Sequence, residues 1–219
     1  MKLKILEIKQ ESNNCFSLIL EKQIGFQFYP GQFLDIELNI EASDKRGKVR
    51  AFTISSSPSE DFLMITPKKG ISDFKKAMEK LKPGEFINSS HPAGTFILDE
   101  SSPAVMIAGG IGITPFRSTI KYALDQKLKT KITLIYSNFD DNFIFKDELD
   151  EWKKNINLKI IYYNSTQSGH LTKLPPFPLT LSPIYYLAGS HSFVNSMEKN
   201  LLEVGVDQIN IRYDRFDGY

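Results

Sequence analysis

Ala108-Gly109-Gly110-Ile111-Gly112-Ile113-Thr114-Pro115-Phe116-Arg117-Ser118 is the stretch on which the reading of this chain turns. It follows the apolar run 103–107, Pro-Ala-Val-Met-Ile, of the kind that forms a strand buried on both faces, and it precedes residues with helical spacing. Strand, glycine turn, helix is the order of a phosphate cradle. Three glycines in four positions let the backbone turn tightly and approach a ligand, while Thr114 suits an N-cap and Pro115 the first helical position. The amides and positive end of such a helix attract an anion. The strict fingerprint G-x-G-x-x-G is met at Gly110 and Gly112 but carries Pro115 in place of its third glycine, so the stretch alone also suits a plain turn between core elements.

Downstream of it, strand-like runs at 104–108, 132–136, 158–163, 184–188 and 209–213 alternate with helical stretches at 115–128, 143–154 and 193–204. Such alternation predicts a parallel sheet with right-handed crossovers. The connection 164–183 holds four prolines and no helical pattern, and reads as a long ordered loop. Ligands of open parallel sheets sit at the carboxyl ends of the strands, which is where the glycine stretch, Ser137-Asn138 and Gly189-Ser190 fall.

Upstream the period changes. Short β-rich runs at 3–8, 16–20, 33–40, 49–54 and 62–65 are separated by turns such as Tyr29-Pro30-Gly31-Gln32, and residues 41–48 read as a solvated charged tip. Phe74, Ala77, Met78 and Leu81 place one short helix over 72–81, stopped by Pro83-Gly84, and 85–88 reads as a last strand. The spacing predicts an antiparallel β-barrel over 1–100 followed by an α/β parallel-sheet domain over 101–219.

The 219 residues suffice for two real cores, and 27 basic against 26 acidic side chains leave a net charge of +1, which draws the chain to neither nucleic acid nor an anionic membrane. Cys15, the single cysteine, excludes an internal disulfide and cannot hold an iron-sulfur cluster or thiolate zinc site; it reads as core filling. His91, His170 and His191 lack metal-ligand spacing, so no metal is expected. No apolar run spans a bilayer and Met1-Lys2-Leu3-Lys4 is not a signal peptide, which gives a cytoplasmic location as the expectation.

With both halves in view, the order of features resembles the ferredoxin-NADP reductase family, here without an iron-sulfur domain. Arg50-Ala51-Phe52-Thr53 is similar to the family's flavin signature, arginine, any residue, an aromatic, then serine or threonine. On a strand residues 50 and 52 share one face, so a guanidinium can hold the flavin phosphate while a ring covers the isoalloxazine. The resemblance places the Thr53 hydroxyl near the flavin N5, which requires a bend after Phe52, and makes Phe52 and Thr53 the catalytic candidates. Phe52 stands where tyrosine is usual. Lys68-Lys69-Gly70-Ile71-Ser72 resembles the phosphate turn under the flavin diphosphate, with Lys68, Gly70 and Ser72 as contacts, and 92–96 resembles the segment that closes the barrel.

In the second half, Gly109, Gly110, Gly112 and Thr114 match the pyrophosphate and nicotinamide loop, with Thr114 towards the nicotinamide. Residues 145–149 resemble the helix after the second strand, read here as an amphipathic surface helix with Trp152 packed inward. Ala188 and Gly189 resemble the family's cysteine-glycine segment beside the nicotinamide, with alanine where cysteine is usual and Phe193 following. Phe216 and Tyr219 are the terminal aromatics that would cover the second flavin face. Ser137-Asn138-Phe139-Asp140-Asp141 after the second strand offers acidic groups to a free ribose hydroxyl and favours NADH, unless Arg117 or Lys146 reaches a 2′-phosphate.

The resemblance implies a flavoprotein oxidoreductase in which NADH or NADPH gives a hydride to FAD, in preference to FMN, and electrons pass to a separate ferredoxin-like protein, oxygenase component, free flavin or other small acceptor. Phe52 and Ala188 motivate an alternative, a flavin- or dinucleotide-binding regulatory module with this fold and little turnover.

Overall fold

A computed structural model describes residues 1–41, 47–169, 171, 174 and 182–216. It separates into two compact units, Met1–Ile97 with Arg117–Tyr122, and Leu98–Phe116 with Ala123–Tyr219.

In the first unit, strands β1 (Lys2–Ser12), β2 (Cys15–Glu21), β3 (Phe33–Glu37), β4 (Val49–Thr53), β5 (Phe62–Ile65) and β6 (Phe86–Ser89) form one antiparallel sheet in the order β4-β3-β6-β1-β2-β5. Its two edges meet: Ile54 bridges Ile65, and the Ser55 N–H donates to the Met64 carbonyl at 2.7 Å. The sheet therefore curls into a barrel, and side chains that alternate inward, such as Leu3, Ile5, Leu34 and Ile36, fill it. Helix α1 (Asp73–Met78) buries Phe74 and Met78 against the same core. Cys15 is buried as expected, and burial pushes its thiol pKa up.

The loop from β4 to β5 carries a buried polar network for which no periodicity prepares the reader. Ser55, Ser56 and Ser57 are fully buried, and the Ser55 and Ser17 hydroxyls each lie 2.9 Å from the Thr66 hydroxyl. Glu60 holds Arg117 in a fork: Nη1 donates to Oε2 at 3.0 Å and Nη2 to Oε1 at 3.1 Å. Nη1 also reaches the Ser55 carbonyl, Ser118 donates to the Ser56 carbonyl at 2.6 Å, and the Ser57 N–H donates to Glu60. Arg117, named as an exception that could reach a 2′-phosphate, is thus held by protein groups. Its side chain is 3% exposed and committed to a carboxylate.

The second unit is a wholly parallel sheet of β7 (Ala104–Gly109), β8 (Ile132–Asn138), β9 (Leu158–Asn164), β10 (Ile184–Ser190) and β11 (Ile211–Phe216), in the order β11-β10-β7-β8-β9. Helices α2 (Ile113–Asp125), α3 (Lys146–Trp152), α4 (Ser165–Ser168) and α5 (His191–Glu203) lie between the strands in sequence. The near-continuous burial of β7 and β10 is what a sheet covered on both faces demands. Two expectations are corrected. Thr114 is not an N-cap: a tight 3-10 turn over Gly110–Gly112 uses up the loop, α2 starts at Ile113, and the Thr114 hydroxyl donates back to the Ile111 carbonyl at 3.0 Å. Within 164–183, read as loop throughout, Asn164 caps the helical turn α4 by accepting from the Thr166 N–H at 2.9 Å; much of the remainder lies outside the described residues. Among the described residues no helix is long and apolar enough to cross a membrane.

Removing one partner of the buried fork leaves an unpaired charge inside the first unit. Glu60→Ala is expected to lower stability by about 3 kcal/mol, read as a reduced urea midpoint, whereas Asp61→Asn on the exposed neighbouring position should change stability by less than about 0.5 kcal/mol.

Candidate functional site

Two sets of side chains gather, one in each unit. In the barrel, Arg50 and Phe52 share a face of β4, opposite Ile36 and Leu34 of β3. Phe52 stacks on Phe74 of α1, centroids 6.0 Å apart with planes at 23°, and the Arg50 guanidinium lies 5.1 Å from the same ring. Arg50 Nη1 also donates to the Gly47 and Val49 carbonyls at 2.9 and 2.7 Å. Helix α1 is opened by Ser72, which accepts from the Lys75 N–H at 3.3 Å, and Gly70 just before it donates its N–H to Glu79 Oε1 at 3.3 Å. The Lys75 stem folds over Gly70 so closely that a Cβ there would lie 2.7 Å from its Cδ. Lys68 is exposed beside this turn and bridges Cys15.

Signature and turn, 20 residues apart in sequence, are therefore joined through Phe74, which the sequence reading had assigned only to the helix core. Thr53 breaks the alternation: Ala51 is exposed, yet Thr53 and Ile54 are both buried, so β4 turns inward where the Thr53 role needs a bend. The set is a partly exposed Phe52 ring backed by the fully buried Phe74, with a guanidinium over the latter and a lysine-rich turn at its side. That donor set suits a ligand with a flat ring and phosphate groups.

In the second unit β7 leads to β8 and β9 on one side, with β10 and β11 on the other, so the topological switch point lies between β7 and β10. The glycines there differ in their reasons. Gly110 has φ +55° and a bare face open except for Asn138 Oδ1 at 3.9 Å, so it is the one that a ligand can approach. Gly112 is required by packing, because a Cβ would lie 2.1 Å from the Ala188 carbonyl oxygen. At Gly109 the ring of Phe193 occupies the place of a Cβ, and Gly189 is held at φ +152° against Gly109. Of the three glycines of the stretch, Gly110 is the one whose face packing leaves open.

Ala188 is fully buried and Thr114 is 3% exposed. Ser137, buried, is the next-to-last residue of β8, and Asn138, which ends it, donates its amide to the Asp140 and Asn142 carbonyls and to Asp140 Oδ1. Bonds from the Asn142 side chain and backbone hold the Asp140 carboxyl below its usual range. Lys146, the second cation considered for a 2′-phosphate, is instead ion-paired with Asp150 and stands over the Tyr162 ring at 4.8 Å. Phe216 ends β11 opposite Ser190, half-buried, while Tyr219 and His170 lie outside the described residues. His91 and His191 are exposed, and no group of three metal-ligating side chains occurs among the described residues.

Residues 106–174 match the oxidoreductase NAD-binding domain family. The chain is 27% identical to flavohemoprotein A of Dictyostelium discoideum over 94% of its own length and 58% of the relative's, and 27% identical to a Bacillus subtilis flavohemoprotein over 87% and 52%. It superposes on the flavohem-like FAD/NAD-binding domain of a Vibrio cholerae nitric oxide dioxygenase with a TM-score of 0.82, 21% identity and 98% of each chain covered. On ferredoxin-NADP+ reductase from Plasmodium falciparum the values are 0.80 and 18%, covering 98% of this chain and 95% of that one. The fold is like that of ferredoxin-NADP reductase. The chain spans a little over half the length of the curated flavohemoprotein relatives it matches.

One residue of this reductase-like fold escaped the sequence reading. Asp214, opposite Ala188 in the β10–β11 pairing, has its carboxyl pKa pushed up to about 6 by burial alone. A charge on an edge strand ordinarily reads as solvated, so the period of β11 gave no signal. Because the folded pKa lies above the ordinary 3.8, the folded state keeps a proton that the unfolded chain gives up; stability is therefore lost as pH rises from about 4 through about 6. Asp214→Asn is expected to raise the melting temperature at pH 7.5, by about 2 kcal/mol of stability, and to leave it unchanged near pH 4. Calorimetric scans across this range check the sign.

Proposed function

We propose that the chain is a flavin-dependent oxidoreductase: it takes a hydride from a nicotinamide dinucleotide, NADH in preference to NADPH, and passes electrons to a separate acceptor. The observation that carries the flavin half is the ledge of Arg50, Phe52 and Phe74 next to the Gly70–Ser72 turn. The NAD-binding match over 106–174 and the open glycine at the switch point support the nicotinamide half. In this reading residues 1–100 form the flavin domain and 101–219 the dinucleotide domain.

FAD, when bound, supplies the group that accepts the hydride and stores two electrons. The chain's own contribution is placement. Arg50 neutralises phosphate charge while its guanidinium is held over the face of the Phe74 ring. Phe52, backed by Phe74, presents a flat apolar surface that excludes water from one ring face, and Thr53 brings a hydroxyl to the end of that surface. Lys68, Gly70 and Ser72 serve the phosphates, and Phe216 with Tyr219 the opposite ring face. In the second unit Gly110 admits the pyrophosphate, with Gly109, Gly112, Thr114, Ala188 and Gly189 shaping the nicotinamide end and Ser137 and Asn138 the ribose end.

Two ion pairs support the preference for NADH in this reading. Arg117 and Lys146, the cations considered for a 2′-phosphate, are committed to Glu60 and Asp150. The acceptor is of the ferredoxin, oxygenase-component or free-flavin kind, and the name of the flavohemoprotein relatives adds a haem protein to that set.

Purified protein is expected to be yellow and to be bleached anaerobically by NADH faster than by NADPH; protein that takes up neither FAD nor FMN overturns the reading, and equal bleaching overturns the cofactor preference. Arg50→Ala is expected to weaken flavin retention about tenfold, read by fluorescence of released flavin during dialysis, with the barrel still folded by circular dichroism.

A further inference from the structure

The end of β4 is held by more polar groups than a strand end needs. Up to Thr53 the strand pairs with β3, and the Ile54 N–H still donates to the Gln32 carbonyl at 2.9 Å. Within one residue the partner changes: Ile54 bridges Ile65, and the Ser55 N–H donates to the Met64 carbonyl at 2.7 Å. The chain thus crosses from β3 to β5 directly behind Thr53, where the alternation of β4 breaks and Thr53 and Ile54 are both buried. Such a crossing takes the carbonyls that follow out of the ladder, and buried carbonyls need donors.

Side chains supply them. Arg117 Nη1 donates to the Ser55 carbonyl at 2.9 Å and Ser118 Oγ to the Ser56 carbonyl at 2.6 Å, while Ser56 Oγ accepts from the Met64 N–H at 2.9 Å. The Glu60 carboxylate accepts from both terminal guanidinium nitrogens and from the Ser57 N–H, and Lys22 Nζ donates to the Pro58 and Glu60 carbonyls at 2.7 Å each. All of these residues belong to the first unit. A buried ion pair is seldom the most stable filling for such a space, since packed apolar residues of like volume do as well or better. What a bidentate fork adds is direction. The guanidinium can meet the Ser55 carbonyl and the Glu60 carboxylate together only if the chain behind Thr53 follows one path.

We propose that Glu60 and Arg117 are positioning residues: their fork fixes the backbone behind Thr53 and thereby the direction of the Thr53 hydroxyl. The inference rests on the reading in which that hydroxyl meets the reacting end of a bound flavin. Thr53 lies two residues from the Ser55 carbonyl that Arg117 holds, so a shift of the loop passes to it through few rotatable bonds. Arg50 is anchored separately, on Phe74 and on the Gly47 and Val49 carbonyls, so retention of the flavin and orientation of the hydroxyl are separable. Orientation of a reacting group governs rate far more steeply than it governs affinity.

The test uses the full chain and the variants Glu60→Gln, Arg117→Lys, Thr53→Val and the double Thr53→Val/Glu60→Gln. In the flavin-loaded protein, Glu60→Gln and Arg117→Lys are each expected to lower the limiting rate of anaerobic flavin reduction by NADH about tenfold, with FAD affinity held within about twofold. In the Thr53→Val background Glu60→Gln should cost nothing further, because its effect passes through the hydroxyl. In the flavin-free protein, hydrogen exchange at the amides of 54–57 should quicken in Glu60→Gln by more than it does in β1 and β6. An unchanged limiting rate in both fork variants, a rate loss matched by a loss of FAD affinity, equal losses from Glu60→Gln in the two backgrounds, or exchange at 54–57 that quickens no more than in β1 and β6 makes the fork a stabiliser only and overturns the assignment. Thr53→Val that reduces at the wild-type rate overturns it as well, since no hydroxyl is then left to direct. Wild-type chain that takes up no flavin overturns the proposed function itself, a different failure, and the exchange measurement still reads the fork. Should Glu60→Gln not fold, Arg117→Lys, which keeps the charge and gives up the fork, takes its place in both backgrounds.

Discussion

Backbone meets backbone where α2 begins, and the second unit is built on that contact. Gly112 packs so closely on the carbonyl of Ala188 that no side chain fits between them. This contact holds the start of α2 against the end of β10, with β7 as the neighbour of both. From it follow the tight 3-10 turn, the early start of the helix at Ile113 and the seating of Phe193 on Gly109 and Gly189. One glycine of the stretch, Gly110, keeps a face that packing leaves open. The motif is thus in good part a device for close packing.

The barrel depends on a different kind of constraint. Six short strands bury an apolar interior by simple alternation, but the loop that follows β4 is held by polar groups that are themselves buried. Fully hydrogen-bonded, such a network favours one arrangement over others; its cost on losing a member is high because the remaining charge has no water to turn to. Arg117 shows the consequence for function. A guanidinium within a glycine-rich loop and helix invites assignment to a phosphate, yet its fork is filled by Glu60, 57 residues earlier. The residue remains important while its role moves from ligand to scaffold.

What was legible in the sequence was whatever repeats with a short period or has a backbone requirement. Alternation in 3–65 gave the barrel strands, apolar runs broken by helical spacing gave the parallel sheet, and Arg50-Ala51-Phe52-Thr53 placed two side chains on one face of β4, where the structure has them. Long-range partners were not legible, because no local pattern encodes them. Phe74 looked like one core position of a short helix and is also the ring to which both Arg50 and Phe52 attach. Asp214 carries no signal in the strand pattern, and burial in the folded unit raises its pKa.

The sequence by itself determined the two architectures, their order and the positions at which each chain segment reaches a strand end, since these depend on hydrophobic period and on the backbone freedom of glycine. Only the tertiary structure decided which residues at those ends meet one another. Phe193 against Gly109, Ala188 against Gly112 and Glu60 against Arg117 are steric and electrostatic pairings across 57 to 84 residues of chain. Such pairings arise from packing in three dimensions, and a one-dimensional pattern carries no term for them.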